Sequence, residues 1–594
     1  MTSELTPTTH PEMTGASRGD GRLAEPHPPR VARRLAVFTV ADGLMLLIGL
    51  LAVWLRFGEL ARLPLSAAEA TAALASHSFW TAGTPAITPI SPAYFTFTNL
   101  IMGLGADGDA AARFVPALFG VMTVLLPWLW RGRARPFVWL AAALFMAVSP
   151  LLTAVSRAAG GDAIALFALL LVVVAGLDDR MGRGRAVALG AGLGLGLTTS
   201  PLFYTGLITL LPAAWIAGAG RSLPPARRLQ TIALSAAVTF LLVASFVLLY
   251  PAGIGAALRL FPAWLGQFGL AAADLNTLFS PWLALLRYEP AVFVLGVPAG
   301  VWAMARRNRG GMGLAVWLGL LLVVMVLQPG VLSNAAAALL PGTLLVGLLA
   351  ETVFGARDTY RFAEQRMFWS TAVGLLGLGA LVLAAFGRFA RLNLLTGENA
   401  NLIVAAALAF VLAGLAVVLA MAWESAAARR GAFVGLAALL LFWQWGSAWQ
   451  LSRLGANDPR ERWVISATDD SAPVMISLLR STSLQMTNSE RDLNIFSTVE
   501  SPVLDWYLRD FAGYESGAAV PLDMAADVVI APAGAELALP SDYFGTDFGL
   551  TRRELPPAEP SMLSNMLKWL LFRESDAPLE TERVVLWIRS DLVQ

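Results

Sequence analysis

Arg157 and Asp162, in the stretch SRAAGGD (156–162), place a guanidinium and a carboxylate at the edge of an apolar segment. Charges at a membrane boundary are costly and are kept for chemistry, packing or snorkelling. A carboxylate can take a proton from an attacking hydroxyl, and an arginine can stabilise a departing phosphate. A second carboxylate, Glu69, stands near the start of the alanine-rich stretch AAEATAALA (67–75). The plainer readings are an ion pair between two helix ends for Arg157 and Asp162, and a solvated helix face for Glu69. Asp107 and Asp109, in GADGDA (105–110), read as loop or cap residues, because two carboxylates without further oxygen ligands make a weak cation site. His77 is the one histidine outside the first thirty residues, and a single imidazole cannot build a zinc site. No metal ligand set and no cofactor motif emerges.

The elements that must hold these residues are set by composition. The chain has 594 residues, 57% hydrophobic and 14% charged, and no cysteine, with a mean hydropathy of +0.65. It reads as an integral membrane protein, with about thirteen apolar crossings between Leu35 and Leu451. Residues 1–30 have the composition of a disordered cytoplasmic tail. Short connections carry Arg131, Arg133 and Arg135; Arg180, Arg183 and Arg185; Arg221, Arg227 and Arg228; Arg306, Arg307 and Arg309; Arg357, Arg361 and Arg366; and Arg429 and Arg430. Every second connection is therefore positive, which puts the N-terminus in the cytoplasm and, with an odd number of crossings, residues after about 450 outside. Such an alternation argues against a nucleic-acid partner, which would require one continuous basic patch. The membrane domain spans 31–452, with long outer loops at 56–111 and 251–290, and its last crossing is about Ala432 to Trp449. The second loop carries Arg259, Arg287 and Tyr288, which suit either a lipid phosphate or an aromatic belt. The glycines at 190, 192, 194 and 196 fit close helix packing better than a nucleotide loop. Residues 453–594 read as an extracytoplasmic α/β domain, with strand-like stretches at 463–467, 493–497, 527–531 and 584–588 and a helix-like one at 501–511.

Four motifs give the chain a resemblance to the GT-C integral membrane glycosyltransferases, in particular the family 39 relatives that include protein mannosyltransferases and aminoarabinose transferases. They are AAEA with Glu69, TPISPAY (88–94), AARFVP (111–116) with Arg113, and VSRAAGGD (155–162) with Arg157 and Asp162. LLRYEP (285–290) and DWYLRDF (505–511) further resemble a branch described as flippase-associated membrane mannosyltransferases. The resemblance implies a polyprenyl-phosphate-linked sugar donor drawn from the membrane lipids, a lipid, glycan or protein acceptor on the outer face of the cell membrane, and no obligatory metal. It implies that Glu69 and Asp162 serve catalysis, and that Arg113, Arg157, Arg259, Arg287 and Tyr288 bind substrate.

The chain departs from the family pattern where relatives have an Asp-Glu pair, since Ala68 stands at the aspartate position and Glu69 alone remains. Relatives also carry a lysine after the glycine-rich crossing, where this chain has Thr199 and Ser200, and hydroxyls cannot neutralise a phosphate. The alternative reading is thus a noncatalytic protein that binds lipid-linked sugars or accompanies their flipping. A secondary transporter ranks below both, since neither an internal repeat nor polar or broken helices near the midplane stand out.

Overall fold

The computed structural model describes residues 38–131, 133–176, 182–218, 225–269, 275–355, 362–396, 426–521, 526–537, 539, 542–555, 562–575 and 577–592. The expected tail at 1–30 and the basic residues Arg180, Arg221, Arg357 and Arg361 lie outside these residues.

The helices follow in order: α1 (Val40–Phe57), α2 (Ala67–Ala82), α3 (Pro92–Met102), α4 (Gly108–Leu125), α5 (Pro136–Val148), α6 (Pro150–Arg157), α7 (Asp162–Gly176), α8 (Arg183–Gly196), α9 (Pro201–Ala217), α10 (Ala226–Ala244), α11 (Gly253–Leu265), α12 (Leu275–Tyr288), α13 (Val297–Ala305), α14 (Arg309–Leu327), α15 (Ser333–Phe354), α16 (Phe362–Thr396) and α17 (Ala426–Trp449). Seven described helical segments are long and apolar enough to cross a membrane, and nine spans result when two bent pairs are each counted once. Three more apolar helices, α7, α9 and α11, are shorter. The crossing expected between α16 and α17 lies outside the described residues. The chain is a multi-pass membrane protein.

Both bends have a chemical cause. Pro150 has no N–H for the carbonyl of Met146, so α5 and α6 meet at 60°. The fully buried Arg56 supplies the missing donors, with Nη2 to Met146 O at 3.1 Å and Nη1 to Ala147 O at 3.1 Å. On the other side of the break, Glu289 accepts from Ser149 Oγ at 2.5 Å and Leu151 N at 3.1 Å. Glu289 itself sits at the second break, where α12 and the helix continuing into α13 meet at 84° before Pro290. Half of a broken span therefore occupies part of what the sequence reads as the outer loop 251–290. Within 56–111, α2 and α3 are too short to span.

The glycine stripe packs helices. A Cβ on Gly190 would lie 2.0 Å from Ser235 Oγ and 2.3 Å from Ile232 O, and one on Gly194 would lie 2.2 Å from Ala236 O, so α8 and α10 touch backbone to backbone.

The C-terminal region adds helices α18 (Ser471–Thr487), α19 (Pro502–Leu508) and α20 (Met562–Phe572). Its strands are β1 (Ala467–Thr468), β2 (Asn494–Ser497), β3 (Gly513–Ser516), β4 (Val528–Pro532), β5 (Tyr543–Glu554) and β6 (Leu579–Arg589). The six form one mixed sheet in the order β1-β5-β6-β4-β2-β3, with β2 parallel to β3 and β4. Buried side chains of α18, α19 and the sheet form the domain's own core around Met475, Leu479, Ile495, Leu504, Val528 and Leu586. Three of the four strand-like stretches of the sequence are strands. The stretch 463–467 reaches the sheet only at Ala467, and β3 and β5 add to the expected set.

Gly194→Ala should lower the detergent melting temperature through about 1–3 kcal/mol of overpacking. Gly319→Ala, where a Cβ meets nothing within 4 Å, should leave it unchanged. Tryptophan-fluorescence unfolding of both variants checks the contrast.

Candidate active site

The sequence SAAE (66–69) folds as a capping box. Ser66 caps α2, and Glu69, three residues on, reaches back to Ser66 N at 3.0 Å and Ser66 Oγ at 3.1 Å. That rotamer aims the carboxylate at Arg113 on α4, which grips it as a fork: Nε to Oε1 at 2.8 Å and Nη2 to Oε2 at 2.8 Å. Ala159 N, in the turn between α6 and α7, adds a bond to Oε1 at 3.0 Å. Five donors thus converge on a carboxylate with about four lone-pair sites. Arg113 spends its remaining N–H groups on the carbonyls of Leu60, Leu63 and Pro64, at 3.2, 2.7 and 3.0 Å. Burial pushes the Glu69 carboxyl up, but the charge and hydrogen bonds of Arg113 outweigh it and hold the group below its ordinary value. In this geometry Glu69 has no oxygen free to take a proton from a substrate.

Arg157 and Asp162 do not pair. Arg157, at the end of α6, donates to the last carbonyls of α1, with Gly58 O at 2.7 Å, Arg56 O at 3.1 Å and Glu59 O at 3.1 Å. A cation there complements the negative end of the helix dipole. Asp162 opens α7 and is partly buried. Its polar neighbour is Ser200 at the N-terminus of α9, a serine whose buried hydroxyl has no partner other than this carboxylate. The adjacent Gly161 admits Ser91 and Thr199 so closely that a Cβ there would lie 2.4 Å from Ser91 Oγ and Thr199 O. Among the described residues Asp162 is therefore a carboxylate with no ion-pair partner, beside the Ser200 hydroxyl and just after the turn whose Ala159 amide binds Glu69.

Arg259 is exposed on α11, a helix whose buried face of Ala256, Ala257, Leu260 and Trp264 lies on α9. Trp264 Nε1 donates to Thr205 Oγ1 at 3.0 Å, which fixes that helix beside the start of α9 and hence on the side of Asp162. Arg287 and Tyr288 lie elsewhere, at the junction with the C-terminal domain. Arg287 stands 4.6 Å from the Trp443 ring centre, and the buried Tyr288 hydroxyl donates to Glu461. The seven residues singled out in the sequence thus divide into a group around the α6–α7 turn, an exposed arginine on α11 and a junction pair.

Three kinds of participant stand in the sequence without a sign of their partners. Asp109 binds Trp506 Nε1 at 2.8 Å and Tyr507 Oη at 2.7 Å, so the DWYLRDF motif docks the C-terminal domain on the first outer loop. Asp107 caps α4 and pairs with Arg509 at 2.8 Å. Ser200 was visible only as a lost lysine position. Arg573 had no sequence signal, being one arginine after a short helix. Among the described residues, His77, Asp107 and Asp510 bring three ligand-type side chains within 4.8 Å of one another. Arg509 already supplies positive charge to both aspartates.

No family model matches the sequence, and no curated protein matches it. Solved structures do resemble it in fold. ArnT from Cupriavidus metallidurans in the apo state aligns with a TM-score of 0.53 at 14% identity, over 93% of this chain and 99% of that one. The same protein bound to undecaprenyl phosphate aligns with a TM-score of 0.52 at 16% identity over the same shares. An Archaeoglobus fulgidus oligosaccharyltransferase tethered to an acceptor peptide gives 0.42 at 12% identity, over 81% and 64%. The fold is that of the GT-C membrane glycosyltransferases, followed through nearly its full length.

Glu69→Gln leaves Arg113 buried beside a neutral amide and should cost about 3–5 kcal/mol of stability. Because the folded carboxyl titrates below its ordinary 4.5, its contribution is complete above about that pH and is lost as pH falls through the lower folded value. Acid unfolding in detergent should therefore be steeper for the wild type than for Glu69→Gln.

Proposed function

We propose that the protein transfers a sugar from a polyprenyl-phosphate-linked donor to an acceptor hydroxyl, at the membrane face that carries the C-terminal domain. The observation that carries this reading is Asp162: a carboxylate at the mouth of a GT-C membrane domain with no cation to neutralise it and the Ser200 hydroxyl as its polar neighbour. In the reaction, the acceptor oxygen attacks the anomeric carbon and its proton passes to the Asp162 carboxylate. The bond from that carbon to the phosphate oxygen breaks, and its electron pair leaves with the polyprenyl phosphate. Ser200 and Ser91 supply hydrogen bonds to the sugar, and Arg259 meets the phosphate as charge develops on it. Glu69, Arg113 and Arg157 fix the loop and the turn that frame Asp162, while Arg287 and Tyr288 act from the domain junction. Nucleotide sugars stay in the cytoplasm, so a lipid-linked donor suits a site on the opposite face. The arginine-rich connections support that orientation: Arg131 pairs with Asp42 at the start of α1, Arg430 bonds the end of α15, and the C-terminal domain meets the other end of α1.

One observation favours a second reading. The only carboxylate retained from the first-loop pair is fully engaged by Arg113, Ser66 and Ala159, as a protein that binds lipid-linked sugars without turning them over would also require.

Purified protein with radiolabelled polyprenyl-phosphate sugars and a membrane extract as acceptor separates the two. Transfer should fall about 10²- to 10⁴-fold in Asp162→Asn with donor binding retained, and Ser200→Ala should raise KM more than it lowers kcat. Donor binding without transfer by the wild type would establish the binding protein instead.

A further inference from the structure

A groove of about 550 Å³ runs between α12, α16, α17 and the segment that follows α20. Its lower walls are apolar, with Leu383, Leu439 and Phe442, and its upper rim carries Arg287 and Arg573. The rim lies at the membrane boundary, because the end of α16 packs through Phe386 and Ala390 against Leu571 and Phe572 of the C-terminal domain. The walls open to the bilayer, since Phe442 is 80% exposed.

The rim is short of negative charge. Arg573 pairs through Nη1 with Glu461 Oε1 at 3.2 Å, and the other Glu461 oxygen is taken by Tyr288. The Nε and Nη2 groups of Arg573 and the Nε of Arg287 are buried and have no partner. Two guanidiniums thus share one carboxylate, leaving one positive charge and three orphaned donors above an apolar slot. Buried donors without acceptors are costly, and guanidinium forks match phosphate oxygens.

We infer that this groove seats an anionic phospholipid of the bilayer, its phosphodiester held between Arg287 and Arg573 and an acyl chain lying along α16 and α17. A phosphodiester carries the single negative charge that the rim lacks. Free phosphate would leave the apolar walls unfilled. A polyprenyl donor is disfavoured because, of the candidate site residues, the groove is lined by Arg287 and by none of the group around Asp162, and because its sideways opening admits bulk lipid by diffusion in the bilayer. One cation belongs to the membrane domain and the other to the C-terminal domain, so the bound headgroup bridges the two and fastens their junction. The inference rests on the membrane assignment and is independent of sugar transfer.

The test uses the full chain in an uncharged detergent, with phosphatidylglycerol or phosphatidylcholine added, reading retained lipid by native mass spectrometry and the melting temperature in parallel. Phosphatidylglycerol should be retained and should raise the melting temperature, and phosphatidylcholine should do neither. Gly446→Leu is the informative variant: a Cβ at Gly446 meets nothing within 4 Å, leucine is a better helix former than glycine, and its side chain fills the groove while both arginines stay. It should melt like the lipid-free wild type yet retain phosphatidylglycerol roughly tenfold less well, a loss of about 1.4 kcal/mol in binding, and Arg287→Gln should do the same. Equal retention of the two lipids, or undiminished retention by Gly446→Leu, overturns the assignment. Displacement of phosphatidylglycerol by equimolar polyprenyl phosphate overturns it as well, in favour of a donor seat.

Discussion

The end of the membrane domain that meets the C-terminal domain depends on one carboxylate. Glu69 receives donors from its own helix cap, from Arg113 on α4 and from the Ala159 amide, and these come from segments that are far apart in sequence. Its bidentate contact with Arg113 is buried, where breaking one partner costs more than the pair contributes. The arginine passes the constraint on to three loop carbonyls between Leu60 and Pro64. The segment between α1 and α2, the fourth helix and the turn that delivers Asp162 are consequently one unit. A residue with the chemical type of a catalyst is here the anchor for the residue that keeps its reactivity free.

The C-terminal domain extends the same unit. Tyr507 accepts the Leu65 amide at 2.8 Å while donating to Asp109, and Thr468 donates to the Leu65 carbonyl at 2.6 Å. Both polar groups of one loop residue are therefore satisfied by a domain more than 400 positions away in sequence. Such bonds orient rather than drive association, and the apolar contacts of α19 on α2 supply the burial. The domain has its own sheet and core, while its Trp506 and Trp569 are buried in the core of the membrane domain.

Legibility in the sequence followed the range of the interactions. The SAAE cap, the glycine stripe and the membrane helices depend on neighbours within a few residues or on hydropathy, and each was readable. The aspartate cap at position 107 was readable for the same reason. The grip of Arg113 on Glu69 was not, because nothing local tells which of many arginines will lie opposite a carboxylate. Strand β5 escaped because it is largely exposed and lacks an apolar run, whereas its partner β6 announced itself through VVLWI (584–588). Helix α12 looked like loop because Pro281 interrupts a short apolar stretch, and only its packing against α14 and α15 shows it to be half of a span.

Charge at a membrane boundary was the feature that drew attention to Arg157 and Asp162, and the structure separates its uses. Arg157 and Arg453 serve the end of α1, Arg56 and Glu289 serve the two sides of the break between α5 and α6, and Glu69 and Arg113 serve each other. In each case the charge faces an opposite charge or the matching end of a helix, where orphan N–H or C=O groups already carry partial charge. A buried charge so matched explains itself structurally and calls for no substrate. Asp162 benefits from its place at the N-terminus of α7, but it faces no cation, and its polar neighbour is the Ser200 hydroxyl. By that elimination the proposed reaction uses the carboxylate left without structural employment, rather than the one embedded in the family-like first-loop motif.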